Sequence, residues 1–522
     1  MFNILAADGI AGEGIELLRE NFSVEVRDKL SHEELLEIIP QFDALIVRSA
    51  SKVTADVLER GEKLKIIGRA GVGVDNIDIQ AATEKGIIVI NSPDGNTIAA
   101  TEHTFAMMLA VSRNIPQANA TMHNGQWDRK KYVGVELRNK TLGVIGLGRI
   151  GAGVAKRAQS FEMKVIAYDP FVSAERAESL GVKLVQLDEL FKTADFITVH
   201  MPLTKKTENM ISLAEMKIMK PTVRLINCAR GGIINETDLA VALQEKIIAG
   251  AAIDVFTSEP LENSPLQNLP NIILTPHLGA STVEAQIGVS VDVAHGIIDA
   301  LGGKPVASAV NMPHIPAHVL KKVTPYLDLA ERLGRTITAL SKTPVSNIQI
   351  KINGGIVDDN TSLISTAVLK GVLSDALDLH VNMVNANLIA GERGINYSEI
   401  TSKISSGFSN TITVTANDNS VTGTLFGDEG RIVEINKFRV DVDPHARILI
   451  CPHINRPGVI GAIGTLLAQY KINISSMQVG KTDIGGTNVM VLTLDNPISP
   501  EVIEKVKEYE AIFDATLVAF DD

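Results

Sequence analysis

The chain of 522 residues is 45% apolar and 21% charged, with a net charge of −12 and two cysteines, Cys228 and Cys451. That length allows about three or four domains with cores of their own, and the acidity argues against nucleic acid or an anionic membrane as the main partner while permitting a small anionic substrate at local arginines. Two cysteines without metal-ligand spacing suit a reducing cytoplasm and argue against disulfides or a structural metal.

The first residues, Met1-Phe2-Asn3-Ile4-Leu5-Ala6, read directly as a strand, without the basic and apolar regions of a signal peptide. No apolar run approaches the roughly 18 residues of a membrane span. Short apolar strands at Ile4–Ala7, Val24–Val26, Ala44–Val47, Ile66–Gly68 and Ile87–Ile90 alternate with helical spacing at His32–Ile39 and Ala55–Arg60. That alternation predicts a parallel sheet with helices on both faces. Ligands of such sheets sit beyond the carboxyl ends of the strands. This singles out the loops at Arg48-Ser49 and Arg69-Ala70-Gly71-Val72-Gly73-Val74-Asp75-Asn76. A long helix is expected over Asn96–Ser112, with His103 as a packed or interdomain residue, followed by a solvated basic loop at Trp127–Tyr132 that could reach a phosphate.

Leu142–Ile145 then reads as a short buried strand running into Gly146-Leu147-Gly148-Arg149-Ile150-Gly151. The first glycine permits a sharp turn, the second lets backbone approach a pyrophosphate, and the third lets helix pack on strand. The opening helix turns its free N–H groups to the phosphates. Glycines alone also fit an ordinary strand-turn-helix. The next strand, Lys164–Tyr168, ends in Asp169, where the adenosine ribose hydroxyls need an acceptor. No arginine follows Asp169 to accept a 2′-phosphate, which favours NAD over NADP. Further strands at Phe196–His200, Thr222–Asn227, Ile248–Asp254 and Ile272–Thr275 predict a six- or seven-stranded nucleotide sheet. A helix near Gly288–Leu301 is expected to pack back on the first domain, making that domain discontinuous.

Beyond Leu301-Gly302-Gly303-Lys304-Pro305 the character changes. Strands at Ser346–Ile352 and Ile432–Val440 and a helix at Ser362–Leu373 carry no catalytic constellation. From Ala446 onward the elements read βαββαβ: Arg447–Cys451, Val459–Tyr470, Ile472–Lys481, Thr487–Leu494, Pro500–Tyr509 and Ala515–Phe520. The expected division is 1–97 plus 291–307 for the substrate domain, 98–290 for the nucleotide domain, 308–445 for an intervening α+β domain and 446–522 for the last.

Three residues follow successive strand ends: Arg230 in Asn227-Cys228-Ala229-Arg230-Gly231-Gly232, Glu259 in Asp254-Val255-Phe256-Thr257-Ser258-Glu259-Pro260, and His277 in Thr275-Pro276-His277-Leu278-Gly279. A guanidinium can hold a carboxylate by paired bonds. An imidazole can take a hydroxyl proton as hydride leaves the same carbon. A carboxylate can fix the other ring nitrogen. Together they suit oxidation of a 2-hydroxy acid.

These motifs, with the glycine fingerprint, resemble the D-isomer-specific 2-hydroxyacid dehydrogenases over about residues 1–307. Arg69-Ala70-Gly71-x-Gly73-x-Asp75-Asn76 and the C-terminal domains resemble the long-form D-3-phosphoglycerate dehydrogenase branch, with its intervening allosteric and ACT domains. The ACT resemblance rests on His453-x-Asn455-Arg456-Pro457-Gly458 and Asn473-Ile474, with Asn455 where many members carry aspartate. The resemblance implies two parallel-sheet α/β domains, an α+β intervening domain and a βαββαβ ACT domain. It further implies NAD-dependent oxidation of 3-phospho-D-glycerate, the first step of serine synthesis, in a homo-oligomer (dimer or tetramer) with L-serine as effector. By the same resemblance His277 is the acid/base, Glu259 its orienter and Arg230 the carboxylate anchor. Arg48, Gly71, Val72, Gly73 and Asn76 hold substrate, with the Arg129–Lys131 cluster as a further phosphate candidate. Gly146, Gly148, Arg149, Ile150, Gly151, Asp169 and Asp254 bind NAD, with Asp254 on the nicotinamide amide; His453, Asn455 and Asn473 bind the effector. Glyoxylate or hydroxypyruvate reduction, and an NAD-sensing corepressor built on this fold, are the alternatives.

Overall fold

The computed structural model describes residues 1–313, 317–359, 361–374, 381–404, 407–481 and 486–520. The first sheet comprises β1 (Asn3–Ala7), β2 (Ser23–Arg27), β3 (Ala44–Val47), β4 (Ile66–Arg69) and β5 (Ile88–Asn91), all parallel in the order β2-β1-β3-β4-β5. Ile4–Ala7 and Ala44–Val47 are buried throughout, as strands covered on both faces must be. One cover is the helix Val283–Leu301, which begins five residues earlier than its sequence pattern. Its Val289, Val293 and Ile297 share a core with Ile4, Ile46, Ile66 and Ile90. A Cβ on Gly14 would lie 2.7 Å from the Ser290 carbonyl oxygen, so that helix and Gly12–Arg19 touch at the backbone.

The chain leaving this helix returns along β5. Ala309 bridges Ile90 in antiparallel sense, Val310 N–H donates to Val89 O at 2.7 Å, and the Asn311 side chain accepts from Val89 N–H and donates to Ile87 O.

The second sheet contains β6 (Thr141–Ile145), β7 (Lys164–Tyr168), β8 (Lys183–Leu184), β9 (Phe196–Val199), β10 (Arg224–Asn227), β11 (Gly250–Ile253) and β12 (Ile272–Leu274). All are parallel, in the order β12-β11-β10-β9-β6-β7-β8, so the sheet has seven strands. The order reverses between β6 and β9, which opens the crevice where such sheets take a nucleotide.

The third sheet pairs β13 (Asn347–Gly354) with β14 (Asn396–Ser402) in parallel. β15 (Asn410–Ala416), β16 (Asn419–Phe426), β17 (Glu429–Ile435) and β18 (Phe438–Val442) continue it antiparallel. The expected single strand Ile432–Val440 is thus a hairpin. Asn436 and Lys437 both take positive φ, 49° and 70°, and reverse the chain. Helices Ala317–Leu340 and Ser362–Ser374 cover one face. The fourth sheet orders β19 (Arg447–Ile454), β20 (Ile474–Lys481), β21 (Thr487–Leu494) and β22 (Thr516–Val518) as β20-β21-β19-β22, packed on helices Val459–Gln469 and Pro500–Lys507. It is the expected βαββαβ unit.

Candidate active site

The loops after β4 and β10 meet across the two parallel-sheet domains. Arg230 Nε lies 3.2 Å from Asp75 Oδ2, and Arg230 Nη1 donates to the Ala229 carbonyl oxygen at 2.7 Å. The Asn227 side chain braces this turn by donating to Arg230 O and accepting from Ala229 N–H. Gly73 runs beneath the guanidinium, and a Cβ there would overlap Arg230 Nη2.

His277 follows β12 and Glu259 follows β11. His277 Nδ1 is 2.7 Å from Glu259 Oε2, while Glu259 Oε1 accepts from Phe256 N–H at 2.9 Å. An ionised carboxylate only accepts, so Nδ1 carries the proton and Nε2 presents its lone pair. His277 has φ 53°, a conformation that costs a side-chain-bearing residue energy unless its surroundings impose it. Asp254 imposes it. Its backbone carbonyl accepts His277 N–H at 2.9 Å, and its fully buried carboxylate accepts Leu278 N–H at 2.8 Å and Gly279 N–H at 2.9 Å. The same carboxylate accepts the Thr275 hydroxyl at 2.6 Å and lies 3.1 Å from His103 Nε2. Asp254, expected on the nicotinamide amide, therefore already holds the loop that carries the imidazole. His103, read as a packed residue, packs onto this acid.

His103, Cys228 and Asp254 offer donor atoms within 4.8 Å of one another. Their donors are already taken up within the protein: Asp254 accepts from the Leu278 and Gly279 N–H groups and the Thr275 hydroxyl, and His103 Nε2 points at the same carboxylate.

Arg48 and Asn76 are linked. The Asn76 Nδ2 group donates to Arg48 O at 2.8 Å and Ser51 O at 2.7 Å, so its amide pins the loop that bears Arg48. Asp8 secures the same loop through Arg48 N–H, Ser51 N–H and the Ser51 hydroxyl. The Gly71-Val72 backbone is tied to the end of β5: Gly71 O accepts from Ser92 N–H at 3.0 Å and Val72 O from Asn91 Nδ2 at 2.6 Å.

Arg69 opens the same loop as Gly71 and Val72. Its Nε is buried and has no partner among the described residues. Burial lowers its pKa to about 10, helped by repulsion from Arg230 and Arg48. It stays charged at neutral pH, so three guanidinium groups converge here. Arg129, Lys130 and Lys131 lie exposed on their loop.

In the nucleotide crevice Gly146 has φ 94°, and a Cβ on Gly151 would collide with the Gly146 carbonyl. A Cβ on Gly148 would meet nothing within 4 Å, so the open side of the turn is there. The helix Arg149–Ser160 has no side-chain cap, which leaves its first N–H groups for an anion. Asp169 accepts Leu147 N–H and Phe171 N–H, each at 2.8 Å, and so braces the glycine turn as well as ending β7. A cradle of open glycine, uncapped helix and strand-end acid fits NAD. Arg149 and Ile150 open that helix, and the Arg149 side chain pairs with Asp94 at 2.6 Å.

The effector candidates are not gathered within one chain. His453 was expected on the loop after the first strand, but it lies inside β19, 2% exposed, with Nδ1 buried and unpartnered among the described residues. Burial lowers its pKa, so the ring is neutral at neutral pH. Asn455 follows on the exposed loop, its N–H donating to Gly486 O. Asn473 precedes β20 and binds Asp495. The register aligns His453 with Asn488 and Lys481, and Arg447 with Leu494 and Ile474. Asn473 therefore sits at the opposite end of the sheet from His453, about 20 Å away at the rise of a strand.

Three family descriptions match the chain: "D-isomer specific 2-hydroxyacid dehydrogenase, NAD binding domain" over 105–279, "D-3-phosphoglycerate dehydrogenase intervening domain" over 322–436 and "ACT domain" over 448–511. The chain is 47% identical to a D-3-phosphoglycerate dehydrogenase of Methanocaldococcus jannaschii, over 99% of this chain and 100% of that one. It is 46% identical to that of Synechocystis sp., over 99% and 95%. Among solved structures, a D-lactate dehydrogenase from Aquifex aeolicus complexed with NAD and lactic acid superposes with a TM-score of 0.53 at 28% identity, over 58% of this chain and 96% of that one.

Proposed function

The chain belongs to the D-3-phosphoglycerate dehydrogenases, within the D-isomer-specific 2-hydroxyacid dehydrogenase family, and from that premise we propose that it oxidises 3-phospho-D-glycerate to 3-phosphohydroxypyruvate with NAD, the entry to serine synthesis. The observation that carries the substrate class is the meeting of three arginines at the Arg69–Asn76 loop: Arg69 lies against Gly71, Gly73 runs beneath the Arg230 guanidinium, and Asn76 ties down the loop that bears Arg48. A carboxylate needs one guanidinium held by a bidentate grip; a phosphate on the same molecule uses the others. A glyoxylate or hydroxypyruvate reductase would have no phosphate to place there.

NAD, when bound, supplies the two-electron acceptor. Arg230 holds the substrate carboxylate, which presents C2 and its hydroxyl to His277. Nε2 of His277 takes the hydroxyl proton as the C2–H bond breaks and the C2–O bond becomes a carbonyl. The charged imidazole so formed is stabilised by Glu259 through Nδ1. Asp254 keeps the ring on its loop, and Asn76 and Asp8 keep Arg48 in place. The separate sheets support four domains within this reading, with the second segment of the substrate domain widened from 291–307 to 283–311, because the helix Val283–Leu301 packs on the first sheet and Ser308–Asn311 pairs with β5. A cytoplasmic setting is supported by two unpaired cysteines, both with thiols pushed up to about 12 by burial; among the described residues no helix is long and apolar enough to cross a membrane.

The ACT domain supports a small-molecule effector, and we assign it as L-serine. Because His453 and Asn473 occupy opposite ends of one sheet, the site requires two copies. Antiparallel pairing of β20 with its counterpart would bring Asn473 of one copy to the His453 end of the other, which supports a homo-oligomer. The deciding experiment for the activity compares NADH formation from 3-phosphoglycerate with NADH loss on glyoxylate and hydroxypyruvate. Faster reduction of glyoxylate than oxidation of 3-phosphoglycerate would reverse the assignment, and no turnover of any of the three would favour the NAD-sensing alternative.

A further inference from the structure

Arg230 already has a carboxylate. Nη1 donates to Ala229 O, and the edge of the guanidinium formed by Nε and Nη2 suits a bidentate ligand. Asp75, from the opposite domain and 155 residues away, takes Nε on that edge at 3.2 Å. We propose that Asp75 is an internal competitor for Arg230, taking the place of the substrate carboxylate until substrate displaces it. The inference rests on the reading of Arg230 as carboxylate anchor.

Three features suit Asp75 to this part. Its side chain is 77% exposed, so it can swing into water without desolvation cost. The other acid near the cluster, Asp8, is fixed by three hydrogen bonds to the Arg48–Ser51 loop and cannot leave. Three converging guanidiniums repel one another, and Asp75 offsets that repulsion only until the anionic substrate does so better. An exposed single-contact ion pair is weak, whereas a carboxylate using Nε and Nη2 together is stronger and more directional. The exchange therefore favours substrate, at the cost of part of its affinity.

The test measures KM for 3-phosphoglycerate at saturating NAD in wild type, Asp75→Asn and Asp75→Glu. Loss of the competitor should lower KM about two- to fivefold in Asp75→Asn, the range an exposed ion pair commands, with KM for NAD unmoved. Asp75→Glu restores a carboxylate and should return KM towards wild type. In an Arg230→Ala background most of the gain from Asp75→Asn should vanish, because the two residues act through one contact. A KM that rises or stays constant in Asp75→Asn overturns the proposal, since a merely supporting role for Asp75 would weaken binding. If Arg230→Ala by itself leaves KM and kcat/KM for 3-phosphoglycerate unchanged, it is the anchor assignment that fails instead.

Discussion

The Asp254 carbonyl oxygen accepts the N–H of His277 at 2.9 Å, so the backbone of the imidazole-bearing residue is fixed by a buried acid and not by its own side chain. Removing the ring should therefore leave the loop in place. His277→Ala is expected to lower kcat by roughly two to four orders of magnitude, the usual worth of a positioned acid/base, while NAD affinity from equilibrium dialysis stays within about twofold. Turnover near wild type in this variant would remove His277 from the proton-transfer step.

Asp169 is expected to govern cofactor choice. Its carboxylate sits at the end of β7 and braces the glycine turn through Leu147 N–H. Losing a charge-assisted bond to the ribose costs about 1.5–3 kcal/mol, or roughly ten- to a hundredfold. Asp169→Ala should show that loss in NAD binding and a narrowed preference over NADP. Asp169→Asn keeps an acceptor for the turn and separates the two contributions. A wild-type enzyme that prefers NADP would contradict this reading of the strand end.

The stability of the nucleotide domain should fall on acidification. His200 follows β9, is partly buried, touches the Thr198 hydroxyl at 3.0 Å, and has its pKa lowered by desolvation from 6.5 to about 4. The unfolded chain takes up a proton near pH 6.5 that the folded one refuses until about 4. Across that window the unfolded state binds more protons, so stability drops as pH falls. The gap of about 2.5 pH units corresponds to at most about 3.4 kcal/mol. Replacing the ring by an untitratable side chain, His200→Gln, should flatten the decline of Tm between pH 6.5 and 4. An identical decline in both proteins would show that other groups govern it.

Serine inhibition should behave as a shared-site property. Asn455→Ala and Asn473→Ala chains are each expected to lose inhibition in an initial-rate titration. Mixed and reassembled, they should recover part of it, because a hybrid pair contains one site with both asparagines intact. Two single variants that stay fully inhibited would move the effector elsewhere, and absence of recovery on mixing would argue for a site within one chain.

Much of this was readable from residue order, for reasons that also explain the rest. Phe196–Val199 and Gly250–Ile253 are buried throughout, so each leaves a short apolar run between turn signals. The hairpin at Asn436-Lys437 left no such mark, because a lysine in the left-handed region is imposed by the strands it joins. Asn76 is read as a substrate ligand from its place in a glycine-rich strand-end loop, and the structure adds a second use for its amide. Its use in tying Arg48 to Asn76 depends on two loops 28 residues apart meeting. Arg69 and Asp75 were visible as letters of a motif. Their roles emerge only when the loop folds back beneath Arg230, a contact set by the packing of two domains and not by local periodicity.

The segment from Ser308 to Asn311 closes the open side of β5, the last strand of the first sheet. A shortened chain ending with the helix at Leu301 would uncover a row of unpaired backbone groups on a strand that also ends at the substrate loop. Such a bare margin is a template for pairing with another chain. A catalytic fragment freed of its regulatory half must therefore retain residues through Asn311 to remain dispersed, and the boundary between catalysis and regulation lies beyond that stitch and not at the helix end.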